Sequence, residues 1–331
     1  MAGSARASEE GLIARYFAPL AGPGAHGLRD DAATLTPTPG HDLVLTTDAV
    51  VAGIHYFAED PPASIARKAL GVNLSDIAAK GAVPRGFLLT LALPDDWTEA
   101  WLDGFAAGLG AAAAEAGCPL LGGDTVRSGG PALISVILFG EVPTGAIVRR
   151  TTARVGDRIC VTGTIGDAAL GLRLRLEPTA PWVAGLDPAL QAELADRYLH
   201  PRPRLAAAPA VRRYASAAMD VSDGLAGDLA KMLGTGRGAR VAAAALPLSD
   251  AARRACAAEP ALIDAVLTGG DDYEILCTVA PENVAAFQAE AAAAGLIVSA
   301  IGTITSGDGP PRFEMRDGAE RVFAAGSFSH F

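Results

Sequence analysis

Met219–Leu225, MDVSDGL, joins two periodicities within one short stretch. Upstream, Ala217–Val221 is an apolar run that reads as a strand; downstream, Asp223–Leu233 carries apolar residues at helical spacing. The turn between them sets Asp220 and Asp223 at a strand end, where an α/β sheet opens its ligand crevice. The pattern recurs. Asp48 closes LVLTTD, Asp124 follows LLGG, Asp271–Asp272 follow LTGG ahead of YEILCTV, and Asp30–Asp31 stand in GAHGLRDDAATL. Any one of these acids is explained as a turn former or helix N-cap. Their repetition favours a shared site.

Outward from that stretch, strand-like and helix-like segments alternate, which predicts an α/β (α+β) layout. In the first half, Asp42–Asp48, Gly86–Leu93 and Ala132–Val142 read as strands, and Ala63–Lys80 and Trp97–Ala116 as helices. The apolar period loosens across Pro143–Asp157. With 331 residues, about two domains are expected, and the boundary falls there: residues 1–148 and 149–331. The second half resumes with strand Arg158–Gly163 and a helix from Asp167. A Pro-rich stretch, Glu177–Arg204, holds helical pieces, and strand Tyr273–Val279, helix Pro281–Ala294 and short closing strands follow. The echo of GGDT (Gly122–Thr125) in GGDD (Gly269–Asp272) is too short to indicate duplication.

Composition narrows the function classes. Half of the residues are hydrophobic and 19% are charged, so the chain can bury a large core. The net charge of −10 and the lack of a basic run beyond Arg149–Arg150 argue against nucleic acid as a partner. Cys118, Cys160, Cys256 and Cys277 form no CxxC or zinc-like cluster and read as reduced thiols in apolar surroundings. No run approaches the ~18 apolar residues that cross a bilayer, and the N-terminus does not resemble a signal peptide, so a cytoplasmic protein without a membrane partner is expected.

Electrostatics then constrains the acids. Two carboxylates ~5 Å apart repel by roughly 3 kcal/mol at an effective dielectric of ~20. Only Lys68, Lys80 and Lys231 among the 27 basic residues are lysines, too few to neutralise a convergent set. Hard divalent ions with oxygen ligands fit; magnesium takes one or two carboxylates plus substrate phosphates, a route by which an acidic chain binds ATP. An EF-hand is excluded because the twelfth residue from Asp220 is Lys231, and no Gly-Lys-Ser/Thr P-loop occurs. GTIGDAALG, from Gly163, has the wrong glycine intervals for a dinucleotide fingerprint and reads as a tight strand–helix turn. Asn73, Asp76 and Lys80 share one helical face, and from spacing alone that face reads as solvated with an Asp–Lys pair. His55, alone after a strand, reads as a packed histidine.

Taken in order, RDDAATL, LTTDAVVAGIHY, KALGVNLSDIAAKGA, LLGGDT, VTGTIGD, MDVSDGL and GGDDYEIL resemble the thiamine-monophosphate kinase family across nearly the whole chain, from the RYF segment to the final SHF. Each motif is weak alone; the ordered set is specific. The resemblance implies a two-domain aminoimidazole-ribonucleotide synthetase-like fold, a homodimer whose N-terminal domains pair into a β-barrel, and ATP held between the domains. It implies transfer of phosphate from ATP to thiamine monophosphate, giving thiamine diphosphate. Carried over residue by residue, Asp31, Thr46, Thr47, Asp48, Asp76, Asp124, Asp220 and Asp223 match positions around several Mg2+ ions, with Asp48, Asp124 and Asp223 central to catalysis. Gly123, Asp124, Arg150 and Ser222 match ATP contacts, and His55 and Asp271 match positions near thiamine monophosphate.

Three departures from the family pattern fall mostly on the acceptor side. Arg29 stands where GDD has glycine, Asp271 stands where GGED has glutamate, and the usual aromatic near Ala325 is absent, with Phe323 or Phe328 as substitutes. Other readings are a purine-pathway ring-closing synthetase and a non-catalytic nucleotide-binding regulator. Selenophosphate synthetase fits poorly because the first cysteine is Cys118, and the hydrogenase maturation protein because the chain ends in Phe331 rather than cysteine.

Overall fold

The computed structural model describes residues 8–323; Ala325 and Phe328 lie outside them. The chain divides into two units. The first runs to Leu74 and resumes over Val83–Gly145; the second takes Ser75–Ala82 and the chain from Ala146 onward.

The N-terminal unit begins with a single turn, α1 (Glu9–Leu12), then builds on β1 (His41–Val51), β2 (Val83–Leu93), β3 (Leu120–Arg127) and β4 (Leu133–Pro143) in the order β1-β4-β2-β3. β4 runs antiparallel to β1 and β2, whereas β2 and β3 are parallel. β3 was not foreseen from the sequence as a strand, because Gly122 and Gly123 have no side chain to pack and little strand propensity. Gly123 is nonetheless required: a Cβ there would lie 1.9 Å from the Leu89 carbonyl oxygen. Two helices complete the layer, α2 (Pro62–Ala79), whose last turn groups with the second unit, and α3 (Glu99–Ala116). Thr98 caps α3 by accepting from Trp101 N at 3.1 Å, and Gly117 ends it at a left-handed φ of 59°.

Strand alternation sorts the sheet into two faces. Val44, Val50, Val136, Leu89 and Leu91 are buried on one. The other exposes Leu43, Leu45 and Ile137, apolar residues on a face that the described residues leave open.

The C-terminal unit is built on β5 (Arg158–Thr162), β6 (Ala215–Asp220), β7 (Arg237–Ala242), β8 (Ile275–Val279), β9 (Val298–Ser306), β10 (Arg312–Glu314) and β11 (Glu320–Arg321), in the order β11-β10-β7-β9-β5-β8-β6. The helices are α4 (Asp167–Leu176), α5 (Pro181–Ala184), α6 (Pro188–Leu199), α7 (Ala208–Tyr214), α8 (Leu225–Leu233), α9 (Asp250–Ala258), α10 (Leu262–Thr268) and α11 (Val284–Ala293). One face buries Ile159, Leu225, Leu229 and Val266; the other buries Cys160, Cys277, Val211 and Phe287. All four cysteines are free, and burial pushes the Cys118 and Cys160 thiols up to about 12, which leaves them unreactive. Among the described residues, no helix is long and apolar enough to cross a membrane.

Candidate active site

In the N-terminal unit the acids divide by sheet face. Register aligns Asp48 with Val136, Leu89 and Gly123 across the four strands, and Asp124 with Thr90 and Ser135 in the next row. Asp48 therefore shares the helix-covered face with Thr46, while Thr47 and Asp124 belong to the open face. β1 and β3 are the two edges, so Asp48 and Asp124 come from opposite edges of the sheet. A helix residue fixes Asp48: its backbone N–H donates to Asn73 Oδ1 at 2.8 Å, and Asn73 Nδ2 donates to Ala69 O. The reading of Asn73, Asp76 and Lys80 as a solvated face is thus corrected; Asn73 is fully buried, and Asp76 and Lys80 are half-buried.

Asp31 and Asp124 border one cavity of about 720 Å³. Its floor is apolar, with Leu88, Ile137 and Phe139 from the open face, and its rim carries Thr90, Gly123 and Thr125. Among the described residues, neither Asp31 nor Asp124 makes an ion pair. The Arg29 departure is harmless to the backbone: its φ is −117°, a value any residue adopts. The left-handed positions fall instead on His26, Gly27 and Leu28. In the following turn, Val51 N donates to His55 Nδ1 at 3.0 Å, which places the proton of a neutral His55 ring on Nε2.

In the C-terminal unit, Asp220 ends β6 and is buried. Asp76, Asp220, Arg150 and Lys80 stand close enough for the three to act on the Lys80 ammonium. Lys80 Nζ donates to Ala218 O at 2.8 Å, and burial lowers its pKa against the opposing pull of Asp76 and Asp220. Arg150 is exposed, in a turn hung on β6 by Ala218 N donating to Arg149 O.

The MDVSDGL turn is fixed by a residue that sequence reading missed. Asp228, fully buried in α8, accepts at Oδ2 from the backbone N–H groups of Ser222, Asp223 and Gly224 at 3.0, 2.9 and 3.2 Å. The helix thus starts at Leu225 rather than Asp223, and its capping acid lies inside its own first turn. Burial raises the Asp228 pKa, and Lys231 opposes that rise. Ser222 O accepts from Asp271 N at 2.9 Å, so both main-chain groups of Ser222 are engaged.

The same bond brings Asp271 to the turn, joined by Tyr273 N donating to Val221 O at 2.8 Å. Gly270 is required at this approach, since a Cβ would meet Ser222 O at 2.3 Å. Asp271 itself has a φ of 72°. Aspartate tolerates that left-handed conformation better than glutamate, which gives GGDD in place of GGED a local reason. Behind the loop, Asp272 accepts from Gly166 N at 2.7 Å at the start of α4. Glu274 accepts from Arg197, Arg204 and Thr162 in a buried cluster.

Among the described residues, no three His, Cys, Asp or Glu side chains form a ready-made metal cluster. The donor set is nevertheless hard oxygen throughout, carboxylates and hydroxyls. That chemistry fits Mg2+, which takes few protein ligands and completes its shell with water and phosphate.

The AIR synthase related protein N-terminal domain matches residues 29–142, and its C-terminal domain matches residues 154–311. Thiamine-monophosphate kinase of Caulobacter vibrioides is 42% identical over 303 residues, covering 90% of this chain and 84% of the relative. That of Salmonella typhimurium is 38% identical over 98% of both chains. The chain belongs to the thiamine-monophosphate kinase family. Among solved structures, the thiamine-monophosphate kinase of Stenotrophomonas maltophilia K279a superposes with a TM-score of 0.77 at 38% identity, over 88% of this chain and 90% of that one. A second, AaThiL complexed with AMPPCP and TMP, gives 0.75 at 31% identity over 91% of each. The hydrogenase maturation protein HypE shares the two-domain α/β fold at 21% identity, with a TM-score of 0.77.

Proposed function

We propose that this chain transfers the γ-phosphate of ATP directly to thiamine monophosphate, forming thiamine diphosphate and ADP. The observation that carries this reading is the end-to-end likeness to thiamine-monophosphate kinases, one of them solved with an ATP analogue and TMP. The chemistry agrees. A phosphate monoester has a second pKa of about 6 and is largely dianionic at neutral pH, so the acceptor needs no general base. The obstacle is repulsion between two anions.

Asp31, Thr46, Thr47, Asp48, Asp76, Asp124, Asp220 and Asp223 are the proposed Mg2+ residues, with Asp48, Asp124 and Asp223 the most directly catalytic. Bound there, several Mg2+ ions would screen the phosphates and stabilise in-line transfer. Arg150 supplies a planar, permanently charged grip on a phosphate, which lysine does not reproduce. Gly123 permits close backbone approach, Ser222 offers its hydroxyl, and His55 and Asp271 face the acceptor. The open face exposing Leu43, Leu45 and Ile137, with β1 and β3 as edge strands, supports a homodimer in which two such sheets close into a barrel. A cytoplasmic location and domains at 1–148 and 149–331 complete the reading.

Incubation with ATP, Mg2+ and thiamine monophosphate should yield thiamine diphosphate by mass spectrometry, with inversion at a chiral γ-phosphate. ADP release that required formylglycinamidine ribonucleotide instead would assign the ring-closing synthetase, and ATP binding with no acceptor-dependent ADP release the regulator.

A further inference from the structure

Lys231 lies in the last turn of α8, and its Nζ donates to two acids: to Asp223, and to Asp228 Oδ1 at 2.9 Å. The two acids differ in freedom. Asp228 is fully buried, and its other oxygen is committed to three backbone N–H groups, so its carboxylate cannot turn away. Asp223 has a side chain 36% exposed, and Lys231 one 37% exposed, so both can move and both meet solvent. The ammonium is therefore anchored at its buried end and leans onto Asp223 at its open end, where the two hydrogen bonds raise the lysine pKa against burial.

We infer that Lys231 is a built-in competitor for the divalent ion at Asp223, loosening that ion's hold. This rests on the assignment of Asp223 as a metal residue in the proposed kinase reaction. An ion that takes Asp223 Oδ2 displaces the hydrogen bond from Lys231, and one that takes Oδ1 still meets the charge of the ammonium, which keeps its second bond to Asp228 and stays nearby. Competition and repulsion both weaken the ion. The benefit is turnover, because an ion that arrives and leaves with nucleotide phosphates must not be trapped by carboxylates.

The test uses the full-length protein and Mn2+ alone, titrated without nucleotide and followed by the electron paramagnetic resonance of the free ion. Lys231→Met should tighten the site that depends on Asp223 about five- to twentyfold, and Lys231→Gln should act in the same direction. Lys231→Arg, which keeps the charge, should remain near wild type. The gain should vanish when Asp223→Asn is added, as a coupled pair requires. Unchanged or weaker Mn2+ binding in both neutral variants, or a gain that survives Asp223→Asn, would overturn the inference. Thiamine diphosphate formation in the same wild-type preparation separates the two levels. Turnover without the Mn2+ shift removes only the role of Lys231, and the Mn2+ shift without turnover removes only the kinase reading.

Discussion

Two candidate site acids of the N-terminal unit, Asp31 and Asp124, live under a different electrostatic regime from those of the C-terminal unit. In the N-terminal unit, Asp31 and Asp124 border a cavity of about 720 Å³ without an ion pair among the described residues. In the C-terminal unit, lysines attend the acids: Lys80 acts within reach of Asp76 and Asp220, and Lys231 bridges Asp223 and Asp228. Two of the three lysines in the chain are spent there. One set of carboxylates is thus neutralised by the fold itself and is tied to its stability. Asp31 and Asp124 have no such counter-charge among the described residues, which suits the metal role proposed for them.

Substitutions on the two sides should separate accordingly. The largest effect is expected from Asp124→Asn, which should cut turnover by about two to four decades while leaving the melting temperature within about a degree, since its carboxylate makes no ion pair among the described residues. Near-normal turnover in a folded variant would take Asp124 out of the site. Lys80→Met should do the opposite in kind. It strips the Ala218 carbonyl of a donor and leaves Asp220 buried beside one cation fewer, at a cost of about 1–3 kcal/mol in chemical denaturation. An unchanged denaturation midpoint would show that Arg150 alone balances those acids and would blur the contrast between units.

Much of the fold was legible because hydrophobic periodicity is set locally. MDVSDGL announced a strand, a turn and a helix, and β6 and α8 occupy those places. β3 was hidden because its two glycines carry no pattern, although one is dictated by the Leu89 carbonyl. The family motifs named the acids but not their supports. Asp228 and Lys231 sit at i and i+3 on a helix, a spacing that usually marks a solvated pair; burial of Asp228 and its three N–H partners appear only in three dimensions. The i, i+3 step from Asn73 to Asp76 misled for the same reason, since a partly buried helix face has the same sequence spacing as a wet one. Arg29 and Asp271, departures at the level of motif, are accommodated by backbone angles that sequence does not print.

In the proposed reaction, Asp31 and Asp124, which make no ion pair among the described residues, help hold the divalent ions at which two phosphates meet. Counting bound Mn2+ in the presence of AMPPCP and thiamine monophosphate, for wild type and Asp124→Asn, addresses it most directly. The wild type should bind more than one ion per chain, and the variant at least one fewer. Identical ion counts in the two proteins would contradict the assignment, whatever their rates.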